Sequence, residues 1–479
     1  MPSKCTYPQH HTSGSGFGAW PIVVVVVVAV VVRRQLAVAA AVVLHVLAVV
    51  AVVLAVVGVV GLAVTLAVRH HRRSPRAVAD RPLLTRDFAG NVLRAVWVAC
   101  RWHWFTRNAG LARADKHAKD RGGRKVLRPR ARIWPAGFGL TARVRVRPGA
   151  GRVEFEAAAP ALADHWKCVR VGVSQVRPGR LLLRGYVRDP LIDPLPVTGL
   201  PAFDGRHVTL GRDEWGDLRT VDLANHAGSV WSGQPGRGKT EAGLSLAVQL
   251  VPSSLVDFWA LDGGANDWAH FAGGAAGYVA DDLAAAVDML LELDGLMRTR
   301  RRNLEADLGV RNAWRAGLSE AYRLQWLMVE EAPFYLSLDS VKGDKKKEAQ
   351  VVACRGLAAN LLRRGRAPAF HVSLVAQKPS TSSLPPDLRD LAGLRWSFGC
   401  ATIENAVAAL GDDIRQHATM QPTLLQGPEH VGVATALLRT AGSPYTLVKF
   451  PAVGEQLADQ VAAEAAQRRA SRQLAVVSS

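Results

Sequence analysis

The residues best placed to do chemistry are Gly233-Gln234-Pro235-Gly236-Arg237-Gly238-Lys239-Thr240. They fit the spacing G-x-x-x-x-G-K-[ST] in full. Glycines at the fixed positions let backbone N–H groups turn inward around phosphate oxygens. A helix opening at Lys239 would add the positive end of its dipole. Lys239 would reach the outer phosphates of a bound triphosphate, and Thr240 would ligate a divalent cation. About 90 residues on, the apolar run Leu324-Gln-Trp-Leu-Met-Val ends in Glu330-Glu331. Two carboxylates closing a buried strand can divide the labour of hydrolysis. Glu330 would take the metal side and Glu331 would orient or activate water.

The elements needed to hold these groups follow from hydrophobic patterning. Apolar strands are expected at 227–231, 255–261, 324–329, 370–376 and 394–399, with helices between them at 239–251, 281–304 and 348–364. That βαβ rhythm predicts a largely parallel sheet with helices on both faces across 205–450. Upstream, 136–204 reads as a small α/β unit, with strands at 141–146, 167–173 and 180–187 and a helix at 155–166. Prolines between Pro190 and Pro201 suit a connection. Residues 451–479 read as a mostly helical, partly charged tail.

The N-terminal region has another character. From Trp20 to Val68 the chain is almost wholly Val, Ala and Leu, broken by Arg33-Arg34-Gln35 and His45. The run Leu36–Val68 holds 33 residues, and eighteen or so suffice for a membrane span. As one helix it would measure roughly 50 Å, so either one tilted span or two short ones fit. Domain 1–68 is therefore expected to be a tail with transmembrane helices in a lipid bilayer. Arg69-His-His-Arg-Arg73 follows at once, and the positive-inside rule then puts the remainder in the cytoplasm.

The chain has 60 Lys+Arg against 40 Asp+Glu, a net charge of +20, which suits a polyanionic partner or an anionic membrane surface. Residues 69–150 alone hold 21 Lys+Arg against 4 Asp. The stretch 69–135 is expected to be a basic juxtamembrane linker. Within it Arg101-Trp-His-Trp-Phe-Thr-Arg107 suits an interfacial aromatic belt, with stacking on nucleic acid as the other reading. Lys342, Lys345, Lys346 and Lys347 fall in a loop expected after the acidic strand end, more simply a solvated loop than a pore lining. The five cysteines are scattered, which excludes a zinc ribbon or a redox CxxC and suits a reducing compartment.

Taken in order, these blocks resemble the FtsK/SpoIIIE family of DNA translocases. Asp189-Pro190-Leu191, Val208–Gly211 and Asp222 resemble its lead-in to the nucleotide loop. Leu261-Asp262-Gly263-Gly264 is similar to its second strand, without the usual Lys after the Asp. Met297-Arg-Thr-Arg-Arg-Arg302 resembles the basic end of the next helix. Leu362-Arg363-Arg364-Gly365-Arg366 with His371-Val-Ser-Leu-Val-Ala376-Gln377-Lys378-Pro379 resembles the family's "RA…GIHL…ATQRP" segment, and Leu394-Arg395-Trp-Ser-Phe398 its "RIAF" strand.

The resemblance implies a RecA-like P-loop NTPase fold, ATP and Mg²⁺ as cofactors, and a homo-hexameric ring around double-stranded DNA. Gln377 would then be the polar sensor of the γ-phosphate, and one of Arg363, Arg364 or Arg366 an arginine finger acting on a neighbouring site. The layout is most similar to plasmid or integrative-element transfer proteins of high-GC Gram-positive bacteria, with other transfer or segregation proteins as partners. About 30 residues follow the core, too few for a winged-helix DNA reader, so sequence-specific loading is not expected. Two other functions stay open: an ATP-binding membrane adaptor that hydrolyses weakly, favoured by the Glu-Glu pair, and a protein-secretion ATPase. An ABC-transporter domain is not expected, since no LSGGQ-like signature lies between the two motifs.

Overall fold

The computed structural model describes residues 25, 32–36, 40, 42–50, 86–114, 126–264, 267–377, 383–440 and 443–477. The chain divides into two units, 1–78 and 79–479. In the first, 32–36 and 42–50 are helical and exposed. Among the described residues no helix is long and apolar enough to cross a membrane. Most of the apolar stretch Trp20–Val68 lies outside the described residues.

The second unit holds two sheets. The smaller has four antiparallel strands, β1 (Arg130–Ala136), β2 (Gly139–Arg145), β3 (Arg170–Arg177) and β4 (Arg180–Tyr186), in the order β1-β2-β4-β3. Helices α1 (Arg86–Asn108) and α2 (Arg152–Trp166) cover one face, and Leu140, Val144, Leu181 and Leu183 meet Phe155, Leu162 and Trp166 there.

For its described residues, 86–114 and 126–135, this corrects the reading of 69–135 as a linker. Residues 86–108 form a helix because Ala95, Val98, Trp102 and Phe105 line one side of it and are buried in that core. Trp102 donates its indole N–H to the Pro129 carbonyl at 2.7 Å, and Phe105 is 1 % exposed. The aromatic cluster is thus a packing surface and not an interfacial belt. Only Trp104 of the three aromatics at 102–105 remains open.

The larger sheet has ten strands: β5 (His207–Asp213), β6 (Leu218–Asp222), β7 (Gly228–Ser232), β8 (Val256–Asp262), β9 (Gly277–Ala280), β10 (Leu324–Glu330), β11 (Phe370–Ala376), β12 (Leu394–Phe398), β13 (Val433–Thr440) and β14 (Ser443–Lys449). Their order is β9-β8-β10-β11-β7-β12-β13-β14-β5-β6. Strands β9 through β12 are parallel to one another, as the apolar runs predict. Every residue of β7, β10 and β11 is buried, the signature of a sheet covered on both faces.

The last four strands are antiparallel additions that the sequence did not announce. β5 and β6 carry polar residues on their open side and lack the continuous apolar run of a central strand.

The helices α3 (Lys239–Leu250), α4 (Leu283–Leu308) and α5 (Lys345–Arg364) fall close to where periodicity puts them. Asp282 caps α4 by accepting from the amides of Ala284 and Ala285. Asp344 does the same for α5, from Lys346 and Lys347. Lys345, Lys346 and Lys347 are therefore the first turn of a helix and not a loop. The cap offsets three cations at the dipole's positive end. The tail forms α6 (Glu455–Val477), whose Ala458, Val461, Ala462 and Ala465 pack into the main core.

Candidate functional site

The glycine-rich loop joins the end of β7 to the start of α3, as its motif requires. Gly233 has φ +147° and Gly238 φ +88°, values that L side chains rarely adopt. Space forbids a side chain as well. A Cβ on Gly233 would lie 2.7 Å from the Phe398 Cβ, and one on Gly238 would lie 2.7 Å from the Gly432 amide nitrogen. Gly236, also at positive φ, faces open space. Gln234 donates its amide to Gly399 at 3.0 Å, and Arg237 donates a guanidinium N–H to the Gly427 carbonyl at 3.3 Å. The loop is thus pinned on both sides while Pro235 and Gly236 stay exposed.

Lys239 is buried, and its ammonium donates to the carbonyls of Gly233 at 2.9 Å and Gln234 at 3.0 Å. Burial pulls its pKa below the usual lysine value, opposed by the nearby carboxylates of Glu330, Glu331 and Asp267. Thr240 is half-buried in the first turn of α3.

The strand order brings the acids to this lysine. β7 sits between β11 and β12, and β10 lies one strand beyond β11, so all four parallel strands end on the same edge. That edge, where neighbouring connections diverge, is where open α/β sheets bind ligands. Glu330 closes β10 in register with Asp262 at the end of β8. It is 5 % exposed, and its carboxyl accepts from the Trp268 indole N–H at 3.2 Å. Burial pushes its pKa to about 7, helped by Asp267 and Asp262 and resisted by the Trp268 bond and Lys239.

Glu331 follows in a left-handed conformation, φ +47°, which turns its side chain away from the strand's alternation. Burial raises its pKa too, while Lys239 and a hydrogen bond with Gln377 hold it down. Its Oε2 is buried without a hydrogen-bond partner. Gln377 lies just past the end of β11, the strand between the loop strand and the acidic strand. Lys239, Glu330, Glu331 and Gln377, chosen from sequence, thus converge.

Arg363, Arg364 and Arg366 do not join them. They are exposed at the far end of α5, where Leu362 packs at Gly228 and Arg366 lies beside His226. That is the starting edge of β7, one strand length or about 16 Å from the glycine-rich loop. They cannot serve the site of their own chain.

Two neighbours of the site escaped the sequence reading. Asp267 lies close enough to act on both Lys239 and Glu330. Trp268, fully buried, ties the edge together: its indole N–H reaches Glu330 and its amide donates to Asp262 at 2.9 Å. The available signal was Asp262, five residues upstream, ending an apolar strand beside the acidic one.

No family model matches the chain, and no curated protein matches it. Among solved structures it is similar to the pCW3 conjugation coupling protein TcpA in monomer form with ATPγS, at 14% identity over 78% of this chain and 98% of that one, TM-score 0.49. It is also similar to the cytoplasmic domain of the type VII secretion ATPase EccC of Thermomonospora curvata, at 18% identity, covering 58% of this chain and 32% of that one, TM-score 0.42. A third is the genome-packaging NTPase B204 of Sulfolobus turreted icosahedral virus 2 with ATPγS, at 10% identity, 47% of this chain and 98% of that one, TM-score 0.29.

Proposed function

We propose that the chain is a P-loop ATPase that moves double-stranded DNA from a membrane-anchored, ring-shaped assembly, in conjugative transfer or chromosome segregation. The observation that carries the catalytic part is the meeting of Lys239, Glu330, Glu331 and Gln377 at one edge of the parallel sheet. An unpartnered buried carboxylate oxygen on Glu331 is what an in-line water needs as its acceptor.

The donor set fits a magnesium nucleotide. Backbone N–H groups of residues 236–239 and the Lys239 ammonium would hold the phosphates; Thr240 and Glu330 would hold the cation. Among the described residues no group of three or more His, Cys, Asp or Glu is set to bind a metal by itself. That suits Mg²⁺, which is commonly held by one or two protein groups plus phosphate oxygens. The ion supplies charge neutralisation for the leaving phosphates.

The chain's own residues do the rest. Lys239 exchanges its two loop carbonyls for phosphate oxygens and keeps its charge through Glu330, Glu331 and Asp267. Glu331 orients water and takes its proton, a role its raised proton affinity favours. Gln377, bonded to Glu331, fixes that carboxyl and would, as the resemblance implies, contact the γ-phosphate. The resemblance supplies the cargo and the ring. In such a ring one of Arg363, Arg364 or Arg366 would act on the adjacent subunit's nucleotide, which their distance from their own loop allows.

The test is ATP hydrolysis by the full-length protein with and without duplex DNA at two salt concentrations, beside Lys239→Ala. The reading expects stimulation by DNA that weakens with salt, and no hydrolysis in the variant. Hydrolysis without DNA stimulation or duplex binding would favour a secretion ATPase. Nucleotide binding without hydrolysis would favour the adaptor. Failure to bind nucleotide with magnesium would end the motor reading altogether.

A further inference from the structure

At the end of the small sheet's outer face that Trp215 does not cover, arginines stand in rows. Register places Arg130 opposite Arg145, Arg145 opposite Arg180, and Arg180 opposite Arg177, one row across all four strands. A second row pairs Arg132 with Arg143. Strands about 4.8 Å apart make the first row roughly 14 Å long, and rows two residues apart are separated by about 7 Å. The other face is the apolar core beneath α1 and α2, so these side chains point away from it. Among the described residues none of the six has an acidic partner within salt-bridge distance.

Like charges directly opposite each other in a sheet destabilise it. The crowding of like charge lowers the Arg180 pKa, first through Arg177, then through loss of solvent, and then through Arg145, Arg143 and Arg132. Unpaired guanidinium rows on an exposed surface leave their positive charge available to an anionic partner. Guanidinium groups are planar forks that match phosphate oxygens in pairs. Trp134 on this face sits under the Arg143 guanidinium, 5.7 Å from ring centroid to Cζ. The ring itself remains 37 % exposed beside that guanidinium.

We propose that this arginine face binds the phosphate backbone of duplex DNA, as a second contact surface outside the ATPase core. The proposal rests on the DNA reading above. Contacts of this kind position a duplex without reading its sequence. They also act whether or not nucleotide is bound, since no residue of the face belongs to the phosphate loop or the acidic edge.

The experiment uses the full-length protein, a labelled duplex, and the triple variant Arg130→Gln, Arg145→Gln, Arg180→Gln. Each neutralised phosphate contributes about 0.9 to the slope of log affinity against log salt. The variant is expected to bind at least tenfold more weakly at about 100 mM salt, with a slope shallower by roughly 2 to 3. Its ATPase rate without DNA should match wild type, and its melting temperature should be equal or higher because repulsion is relieved. Unchanged affinity and slope would overturn the proposal, as would a lowered melting temperature. So would unchanged DNA binding with lost preference for phosphatidylserine over neutral vesicles, which would make the face a lipid contact. If wild-type protein binds no duplex at all, the DNA reading itself fails; where it does bind, Lys239→Ala should bind duplex equally while hydrolysing no ATP, which separates duplex binding from catalysis.

Discussion

Glu330 offers the sharpest test of the site's electrostatics. Its carboxyl is moved from 4.5 to about 7, chiefly by burial. At about 1.4 kcal/mol per tenfold change in proton affinity, that corresponds to roughly 3 kcal/mol. The sign follows from proton counting. Between 4.5 and about 7 the unfolded carboxyl is ionised while the folded one keeps its proton. The folded state then binds more protons, so its stability falls as pH rises through that window. Glu330→Gln keeps the size and the Trp268 contact but cannot titrate. The two proteins should be closest to a constant offset below the window. The variant should gain on wild type by roughly 3 kcal/mol as pH rises to the top of it.

Other buried groups titrate nearby in pH: Glu214 is also raised to about 7, and His371 is lowered to about 4. They are present in both proteins and cancel in the difference. Urea unfolding of the full-length protein, followed by tryptophan fluorescence across the pH range, gives the measurement. Magnesium with a non-hydrolysable nucleotide should flatten the wild-type dependence, because a cation favours the ionised carboxyl. A wild-type minus variant difference that does not change with pH would refute the claim that Glu330 is held protonated by its surroundings.

Glu331→Gln should retain nucleotide binding and lose about 10²- to 10⁴-fold in turnover, as expected for loss of a general base, measured by steady-state ATPase alongside nucleotide titration. Gly238→Ala should abolish nucleotide binding, since its Cβ would lie 2.7 Å from the Gly432 amide nitrogen at φ +88°; a nucleotide titration like that of wild type would contradict the loop geometry. The burial that lowers His371 to about 4 predicts stability that is present above 6.5 and lost as pH falls towards 4, where the folded ring resists protonation. His371→Gln should remove that acid-side loss in the same unfolding series. A chain beginning at residue 136 should be poorly folded, because it lacks α1 and β1 and exposes the partners of Trp102 and Phe105; one beginning near residue 86 should melt cooperatively, as calorimetry would show.

What could be read in the sequence divides along a physical line. The glycine-rich loop was legible because sterics leave few alternatives: positions 233 and 238 need positive φ and no Cβ, and only glycine provides both. Glu330-Glu331 were legible because they close a fully buried apolar run; Gln377, which only the family resemblance singled out, follows another such run, and parallel strands in one sheet must end on one edge. Asp267 and Trp268 were not, since they belong to a turn, and a turn's side-chain direction is set by tertiary packing. The hairpins at 207–222 and 433–449 were hidden because an antiparallel strand at a sheet's margin needs only one apolar face.

The basic region was misread for a more instructive reason. Its charge was summed, and a sum of 21 cations against 4 acids over 69–150 resembles a solvated linker. Read by spacing, Arg128, Arg130 and Arg132, then Arg143, Arg145 and Arg147, alternate with other residues at a period of two. That is the period of a strand with one charged face and one buried face. A linker has no reason to keep it, whereas a sheet with a core on one side and solvent on the other does.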